Sequence, residues 1–557
     1  MPQHNTNISL YQESQAKDNC GFGLIVNRHG IQNRDVVKRS IAGLTSMTHR
    51  GAIGADGKTG DGCGLLFDLN QKFFQKRIKK ELKIKLPELF GVAQIFSSTA
   101  LHKDLSTIKK ILESENLIFE CVRDVPINKS VLGEIALESL PKINQIFITP
   151  ISKDFNKETF ESCLLQARKK IEELHNNNDE EFYICSMSSQ TIVYKGLMLP
   201  DEISKFYTDI AKKSFTAKVC LFHQRFSTNT QPRWHLAQPF RLLAHNGEIN
   251  AIRGNRNWVK ARASKFSTPL IPGISQFKLL VNETGSDSSA LDNMIELLVK
   301  GGINFFRSIR MVLPPAWQNI HTMDPEVRAF HEYNSMHMEA WDGPAGIVMS
   351  DGEWAICVLD RNGLRPARYQ VLTNGMITVA SETGIYPVAD EEILQKGRIG
   401  PGGIFAVNTG SGEILDQKMI DEQLKQNKPY REWLRKSAIY LESTLDAFEG
   451  PGIKKIPHSE FIRSSKLFSL FNEERVSVIK PLALDGLEGT GSMGDDTALA
   501  MLSSMPRSIY DYFRQQFAQV TNPPIDSLRE SSVMSLEACF GPELNIFEES
   551  KNNAKRI

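Results

Sequence analysis

A pair of apolar runs joined by a two-residue turn places the strongest constraint on the fold of this chain. The runs are residues 346–350 (GIVMS) and 353–360 (EWAICVLD), and Asp351-Gly352 lies between them. Asp-Gly tolerates the positive φ angles of a tight β-hairpin, so this segment predicts two antiparallel strands.

The first 122 residues alternate between strand-like and helix-like patterns. Apolar runs indicate strands and the spacing of Val36, Val37, Ile41 and Leu44 indicates a helix. Strands dominate again over 182–197. The alternation favours layered α and β structure. The predicted strands are 20–28, 64–67, 90–96 and 118–122, and the predicted helices are 34–49, 71–84 and 102–114.

The length of 557 residues predicts several domains, or one large domain with a companion, because a domain averages about 150 residues. Charged helical sequence follows residue 407, and we place a domain boundary within 408–440. The last residues, ESKNNAKRI, form a charged run without a clear closing element, so we expect the chain to be cut there.

Composition excludes several classes of partner. The net charge is +1, which gives no global field to recruit nucleic acid or an anionic membrane. No window approaches the roughly 18 uninterrupted apolar residues of a membrane span. The polar start, MPQHNTNISLYQESQAKDNC, lacks the features of a secretory signal, which predicts a cytoplasmic protein.

Motifs for metals and nucleotides are absent or imperfect. The eight cysteines are scattered without a CxxC pair, which argues against a zinc ribbon, an iron–sulfur loop or a disulfide framework. His331 and His337 are six residues apart and cannot share a helix face as in HExxH, so no metal site is predicted. Five residues separate Gly51 from Gly57, where a P-loop has four. Residues 489–494 satisfy GxGxxG, but no strand feeds them directly, and a tight turn before a helix is the better interpretation.

A cysteine beside a glycine is the first candidate for chemistry. Cys20 precedes Gly-Phe-Gly, and a small neighbour leaves its sulfur and backbone open to a ligand. A buried structural cysteine is the alternative. The segment 223–250 (HQRFSTNTQPRWHLAQPFRLLAHNGEIN) places Arg, Ser, Thr, Asn and His between apolar anchors, which is typical of a polar pocket wall or of a hydrogen-bonded loop.

These residues belong to a set of short motifs that resembles a known protein family. Cys20-Gly, His49-Arg50-Gly51, Arg225-Phe-Ser-Thr, His245-Asn-Gly-Glu and Gly285-Ser-Asp-Ser-Ser resemble the signature blocks of class II glutamine amidotransferases, the N-terminal-nucleophile (Ntn) glutaminases. Longer blocks are more specifically similar to the N-terminal portion of glutamate synthase large subunits. They are 55–62 (ADGKTGDG), 223–234, 242–258, 338–345 (MEAWDGPA), 359–369 (LDRNGLRPARY) and 491–503.

The resemblance implies a role for each matching residue. Cys20 would be the nucleophile, exposed as the first residue by removal of a propeptide, residues 1–19. The side chain of Asn246 and the backbone N–H of Gly247 would stabilise the oxyanion. Arg225 would bind the α-carboxylate of glutamine and Asp287 its α-ammonium group. Thr228 and Arg50 would line the site or serve the structure only.

The resemblance also implies the architecture and the partners. The expected fold is α+β: a four-layer αββα Ntn-hydrolase sandwich over residues 20–430, followed by the start of an α/β glutamate synthase central domain at 431–557. No cofactor is expected in this chain. FMN and an iron–sulfur cluster are expected in a missing synthase portion, where ammonia would be passed to 2-oxoglutarate. Electrons would come from an NADPH-dependent small subunit or from ferredoxin.

Two other interpretations stay open at this point. The chain could be a catalytically silent glutamine-binding or assembly module of a split glutamate synthase. It could also be another Ntn hydrolase that acts on acyl amides, although the blocks beyond residue 430 speak against this.

Overall fold

The structure is a computed structural model, and it describes residues 20–99, 101–152, 154–227, 231–318, 320–441, 455–467, 475–486, 500–507, 509–512 and 538–557. The predicted propeptide, Thr228 and the glycine-rich turn at 489–494 lie outside these ranges.

Sixteen β-strands form three antiparallel sheets among the described residues. The strands are β1 (Gly21–Asn27), β2 (Cys63–Asp68), β3 (Gly91–Ser97), β4 (Leu117–Asp124), β5 (Lys142–Pro150), β6 (Phe182–Ser188), β7 (Thr191–Gly196), β8 (Val219–Gln224), β9 (Leu243–Gly247), β10 (Ala345–Ser350), β11 (Trp354–Leu359), β12 (Arg368–Leu372), β13 (Met376–Ala380), β14 (Ile393–Arg398), β15 (Ile404–Asn408) and β16 (Ile414–Asp416).

Fifteen α-helices occur in the same ranges. They are α1 (Arg34–Ser46), α2 (Gln71–Leu82), α3 (Leu105–Ser114), α4 (Glu134–Glu138), α5 (Lys157–Leu174), α6 (Ile203–Phe206), α7 (Thr208–Ala211), α8 (Ile252–Arg262), α9 (Asp287–Lys300), α10 (Phe305–Val312), α11 (Pro325–Ser335), α12 (Gln417–Gln426), α13 (Tyr430–Ser437), α14 (His458–Leu467) and α15 (Lys480–Asp485).

The predicted hairpin is confirmed as β10 and β11. Ser350 pairs with Ala355 next to the turn, and Gly352 has a φ of +91°, as the Asp-Gly prediction requires. The early alternation of strands and helices is also confirmed from β1 to β4. Helix α1 ends three residues before the predicted limit, and a short 3-10 turn, Thr48–Arg50, follows it.

Two of the sheets are stacked face to face. One has the order β14-β12-β13-β1-β8-β2-β7 and the other β16-β15-β11-β10-β9. Strand β11 shows the stacking, because Ala355, Cys357 and Leu359 join the core shared with the larger sheet. The alternate residues Ile356 and Val358 join the core on the other face. Both faces of the smaller sheet are therefore buried, which explains why β11 reads as a continuous apolar run.

Helices cover the outer faces of the two sheets. Helix α1 packs on β1 and β8, where the Phe222 ring fills the space over Gly23 and Gly43. Helices α9 and α10 contribute their apolar residues to the core on the outer face of the smaller sheet. The layers are helix, sheet, sheet and helix, so the predicted αββα Ntn-hydrolase sandwich is confirmed.

A third sheet, β4-β5-β3-β6, extends this architecture. Helices α3 and α5 share an apolar core with it, to which Phe160, Leu164, Ile108 and Leu112 belong.

The chain divides into two compact units. One contains Met1–Ile439 together with Ile525–Ile557, and the other is Tyr440–Pro524. Within the first unit the C-terminal tail, residues 538–557, packs on the helical core: Ile546 and Ala554 are buried there, and the hydroxyl of Tyr333 donates to the Ser550 carbonyl at 3.1 Å. The second unit contains α14 and α15. The domain limits proposed from the sequence stay a prediction.

Buried charged side chains fix the position of the segment that starts β9. Asp292 of α9 is fully buried, and its Oδ1 accepts hydrogen bonds from the backbone N–H groups of Leu242 (2.8 Å) and Leu243 (3.1 Å). Arg241 is also buried and donates to Glu172 at 2.7 Å. Burial, assisted by the charge of Glu296, raises the pKa of Asp292 to about 6.

We expect the protein to become more stable relative to an Asp292→Asn variant as the pH falls from 7.5 to 5. Asp292 has a higher pKa in the folded than in the unfolded chain, so folding takes up a proton in this range. The wild type should gain about 1 kcal/mol in free energy of unfolding over the variant, which keeps the Oδ1 acceptor but cannot titrate. Urea unfolding of both proteins at the two pH values measures the difference. An identical difference at both pH values would contradict the prediction.

Candidate active site

The candidate nucleophile lies at the start of the central strand of the larger sheet. Cys20 immediately precedes β1, which pairs on one side with β8 and on the other with β13. It is half-buried, whereas Cys63, Cys121, Cys163, Cys185, Cys220 and Cys357 are buried and Cys539 is exposed.

Backbone groups of the segment after β8 contact the Cys20 sulfur. The N–H of Phe226 donates to Sγ at 3.2 Å, and the thiol faces the Phe226 carbonyl at 3.5 Å. Burial raises the pKa of the Cys20 thiol. The Phe226 N–H and the positive charges of Arg225 and Arg365 oppose this rise.

Asn246 and Gly247 end β9 in the neighbouring sheet. The Asn246 side-chain Nδ2 donates to the Cys20 carbonyl at 2.7 Å, so the two residues are in direct contact. Gly247 has a φ of +152°, and a Cβ there would lie 1.8 Å from the Pro344 carbonyl oxygen. Only glycine fits this position.

Arg225 follows β8 and is buried beside Cys20. Its backbone N–H donates to the Gly62 carbonyl at 2.9 Å, which fixes the loop to the start of β2. Burial lowers the pKa of the Arg225 guanidinium, and the charged forms of Cys20, Asp61 and Asp287 act in the opposite direction. Arg225 is therefore surrounded by ionisable groups of opposite sign.

Asp287 is the first residue of α9, where the helix dipole favours a negative charge. Its Oδ2 accepts a hydrogen bond from the Ile249 N–H at 2.8 Å and lies 3.8 Å from His245 Nδ1. The carboxylate thus lies beside the loop that follows Gly247.

A polar cavity of 420 Å³ reaches this helix end. Gly285 and Ser286, which directly precede Asp287, line it together with Gln231, Arg233 and His235 from the segment after β8. The cavity opens beside the start of α9 and is lined by residues next to Asp287, not by Cys20, Arg225, Asn246 or Asp287 themselves.

Arg50 is bound by a residue that the sequence analysis missed. Its Nε donates to Glu382 Oε1 at 2.5 Å, and its side-chain stem lies beside Gly21, next to Cys20. His49 Nε2 is 3.0 Å from the other oxygen of Glu382. These contacts give Arg50 a place in the framework behind Cys20. Thr228 lies outside the described residues, so its role stays a prediction.

Asp61 and His245 are two further residues that the sequence analysis left without a role. Asp61 Oδ2 accepts a hydrogen bond from the Ser227 N–H at 2.6 Å and so holds the loop that carries Arg225. His245 Nδ1 is 2.8 Å from Ser288 Oγ, and burial lowers the pKa of its imidazole. Both residues lie in blocks quoted above, TGDG and HNGE, but only the fold shows their partners.

The chemistry open to this arrangement is limited. Cys20 lies beside an amide donor and an arginine, and the arginine interacts in turn with the Asp287 carboxylate. The arginine and the aspartate suit the two charges of a free amino acid, and the amide donor suits a carbonyl under attack.

Comparison with known proteins decides between the families that use such a site. The profile described as "Glutamine amidotransferases class-II" matches residues 20–433. This chain belongs to the class II glutamine amidotransferases. The profile described as "Glutamate synthase central domain" matches residues 463–557.

Curated relatives of this amidotransferase cover nearly its whole length. It is 37% identical to "Glutamate synthase [NADH]" of Saccharomyces cerevisiae, over 98% of this chain and 26% of the relative. It is 37% identical to "Glutamate synthase [NADPH] large chain" of Azospirillum brasilense, over 99% and 37%. The corresponding Bacillus subtilis large chain is 38% identical over 98% and 36%. The chain thus spans between a quarter and two fifths of the length of these relatives.

In the described part of this amidotransferase, no group of three or more His, Cys, Asp or Glu side chains is arranged to hold a metal ion. None of the helices described is both long and apolar enough to cross a membrane.

Replacement of Gly247 by alanine should destabilise the protein by about 1–3 kcal/mol, because an alanine would be strained at this φ and would overlap the Pro344 carbonyl. Gly254 provides the matched control, since it is exposed in α8 and a Cβ there meets no atom within 4 Å. Gly254→Ala should leave the stability unchanged or raise it by up to about 1 kcal/mol. Thermal unfolding of the two variants measures both effects, and equal midpoints would refute the packing described for Gly247.

Proposed function

We propose that this chain is the glutaminase part of a glutamate synthase, which hydrolyses L-glutamine to glutamate and ammonia through a thioester on Cys20. The contact between Asn246 Nδ2 and the Cys20 carbonyl carries the proposal, because it holds an amide donor beside the nucleophile. The identity to glutamate synthases over nearly the whole chain supports the assignment.

The first step forms the thioester. After removal of residues 1–19, the α-amine of Cys20 accepts the thiol proton, a transfer that costs only about 1 kcal/mol because the two ordinary pKa values are close. The sulfur bonds to the side-chain amide carbon of glutamine, and the C=O electron pair moves to oxygen. This oxyanion accepts hydrogen bonds from Asn246 Nδ2 and the Gly247 N–H. The Asn246 amide has two N–H groups, so it can donate to the Cys20 carbonyl oxygen and to the oxyanion at the same time.

Collapse of the oxyanion breaks the C–N bond, and the α-ammonium group of Cys20 gives its proton to the leaving nitrogen. Ammonia departs. Water then adds to the thioester carbon and gives a proton to the amine. When the C–S bond breaks, glutamate leaves and the sulfur recovers its proton.

Substrate selection depends on two charges. Arg225 would bind the α-carboxylate through its planar fork, and Asp287 at the start of α9 would bind the α-ammonium group. A glutamine residue inside a peptide lacks both charges, so the site would select the free amino acid. Arg50 and Thr228 would support this site.

The product ammonia would pass to 2-oxoglutarate in a synthase portion that binds FMN and an iron–sulfur cluster. The relatives include NADH-, NADPH- and ferredoxin-dependent glutamate synthases. We propose an NADPH-dependent small subunit or ferredoxin as the electron donor. We propose a cytoplasmic location, which the free and scattered cysteines support.

Cys20→Ala should abolish release of ammonia from glutamine, and the active wild-type chain should begin at Cys20. N-terminal sequencing, intact mass and an ammonia assay measure these properties. Cys539→Ala is the control, because it removes an exposed thiol and should retain wild-type activity. Full glutaminase activity in a chain that retains Met1 would refute the proposed mechanism. A processed chain without activity would instead favour a silent glutamine-binding module.

Asn246→Ala should lower kcat by about 10²–10³-fold with KM changed by only a few fold, because the lost donor acts mainly on the oxyanion. Asn250→Ala is the matched control, since Asn250 is exposed four residues further on. Steady-state ammonia release tests both variants. Unchanged turnover in Asn246→Ala would disprove its role as an oxyanion donor.

A further inference from the structure

The loop between β11 and β12 has a defined conformation set by Asp360. Its Oδ1 accepts the Ala345 N–H at 2.9 Å, and its Oδ2 accepts the N–H of Asn362 at 2.9 Å and of Gly363 at 3.2 Å. The Asp360 carbonyl also accepts the Gly402 N–H at 2.7 Å. These bonds fix the path of the chain toward Arg365.

Arg365 extends over the smaller sheet at Gly346. A Cβ on Gly346 would lie 3.1 Å from the Arg365 Cβ and 2.9 Å from the Phe22 ring. Phe22 is two residues after Cys20. The missing side chain at 346 thus leaves the space that Arg365 and Phe22 occupy.

The strand register places Arg365 on the same face as the oxyanion donor. Gly346 lies directly opposite Asn246 in the antiparallel pair of β10 and β9. Directly opposed residues in such a pair present their side chains to the same face. This is the face from which Asn246 contacts Cys20.

The effect of the Arg365 charge on Cys20 agrees with this placement. Its side chain is half-buried with its Nε fully buried, and its positive charge lowers the pKa of the Cys20 thiol, in parallel with Arg225. The positive charge of Arg365 also lowers the pKa of the His245 imidazole. The other charged or titratable groups around Cys20 are Asp61 before β2, His223 on β8, Asp287 at the start of α9, and the Arg50–Glu382 pair with His49.

We infer that Arg365 stabilises negative charge at Cys20, as a second cation whose role differs from that of Arg225. The inference deepens the proposed function and rests on it for its effect on turnover. When glutamine is bound, its α-carboxylate neutralises Arg225. Arg365 then provides the positive charge that remains near the sulfur and near the oxyanion beside Asn246.

The test measures the pH dependence of Cys20 alkylation by iodoacetamide in the processed chain, without glutamine, by mass spectrometry of the Cys20 peptide. Arg365→Gln and Arg365→Met remove the charge, and Arg365→Lys keeps it. The pH at the midpoint of Cys20 alkylation should rise by about half a pH unit to one pH unit in the two neutral variants. In the lysine variant it should stay close to the wild-type value. Arg368→Gln is the matched control, because Arg368 is exposed three residues further on.

Measurements on two other cysteines of the same samples distinguish an effect of the Arg365 charge from damage to the fold. The exposed Cys539 peptide should show the same alkylation profile in all variants, and buried Cys357 should stay unmodified in a folded chain. If one neutral variant does not fold, the other provides the midpoint. An unchanged midpoint in a folded neutral variant would overturn the inference. Equal shifts in the lysine and neutral variants would also overturn it.

Ammonia release from glutamine, measured on the same samples, distinguishes this inference from the proposed function. A charge-dependent midpoint shift in a chain without glutaminase activity would support the role of Arg365 at Cys20 and refute the hydrolase. Glutaminase activity without a midpoint shift would support the hydrolase and refute the role of Arg365.

Discussion

The hydrogen bond from Asn246 to the Cys20 carbonyl joins the two stacked sheets at the candidate active site. Cys20 precedes a strand of the larger sheet, and Asn246 lies at the end of a strand of the smaller one. A side-chain amide has a short reach, so this contact requires a fixed distance and offset between the sheets. The apolar residues that alternate along β11, and the space over Gly346 that accepts Phe22, provide that alignment.

Burial of charge is the second constraint on this site. Taking an ionised side chain out of water is costly unless opposite charges or hydrogen bonds compensate it. The charge of Arg225 is partly offset by Asp61 and Asp287, and the charge of Arg241, just before β9, is paired with Glu172. The loops that hold the site are therefore fixed by polar contacts with buried strands, which allows binding groups to be positioned before a ligand arrives.

Local patterns in the sequence predicted the elements of the fold but not their partners. The Asp-Gly hairpin and the strand-helix alternation depend on neighbouring residues, so they could be identified directly. The pairing of β1 with β8 and β13 joins residues about 200 and 350 positions apart, and no local signal specifies it. The αββα layers were therefore predicted from the resemblance alone.

The same reason explains which site residues were missed. Cys20, Asn246, Gly247, Arg225 and Asp287 lie in recognisable blocks, and the fold brings them together. The contact between Glu382 and Arg50 depends on the pairing of β13 with β1, which places the residues after β13 near Arg50. Arg365 depends on the register that sets Gly346 opposite Asn246. Such relations follow from tertiary structure and leave no mark at a single position.

The C-terminal tail shows that the amidotransferase unit is discontinuous along the chain. Arg262 and Arg307 pair with Glu543 and Glu549 of the tail at 3.0 and 3.2 Å, and Ile546 packs into the helical core. An expression fragment that ends near residue 430 would lose these carboxylates and uncover that apolar surface. A fragment that keeps the helical core covered therefore needs the tail, which lies within the match to the central domain.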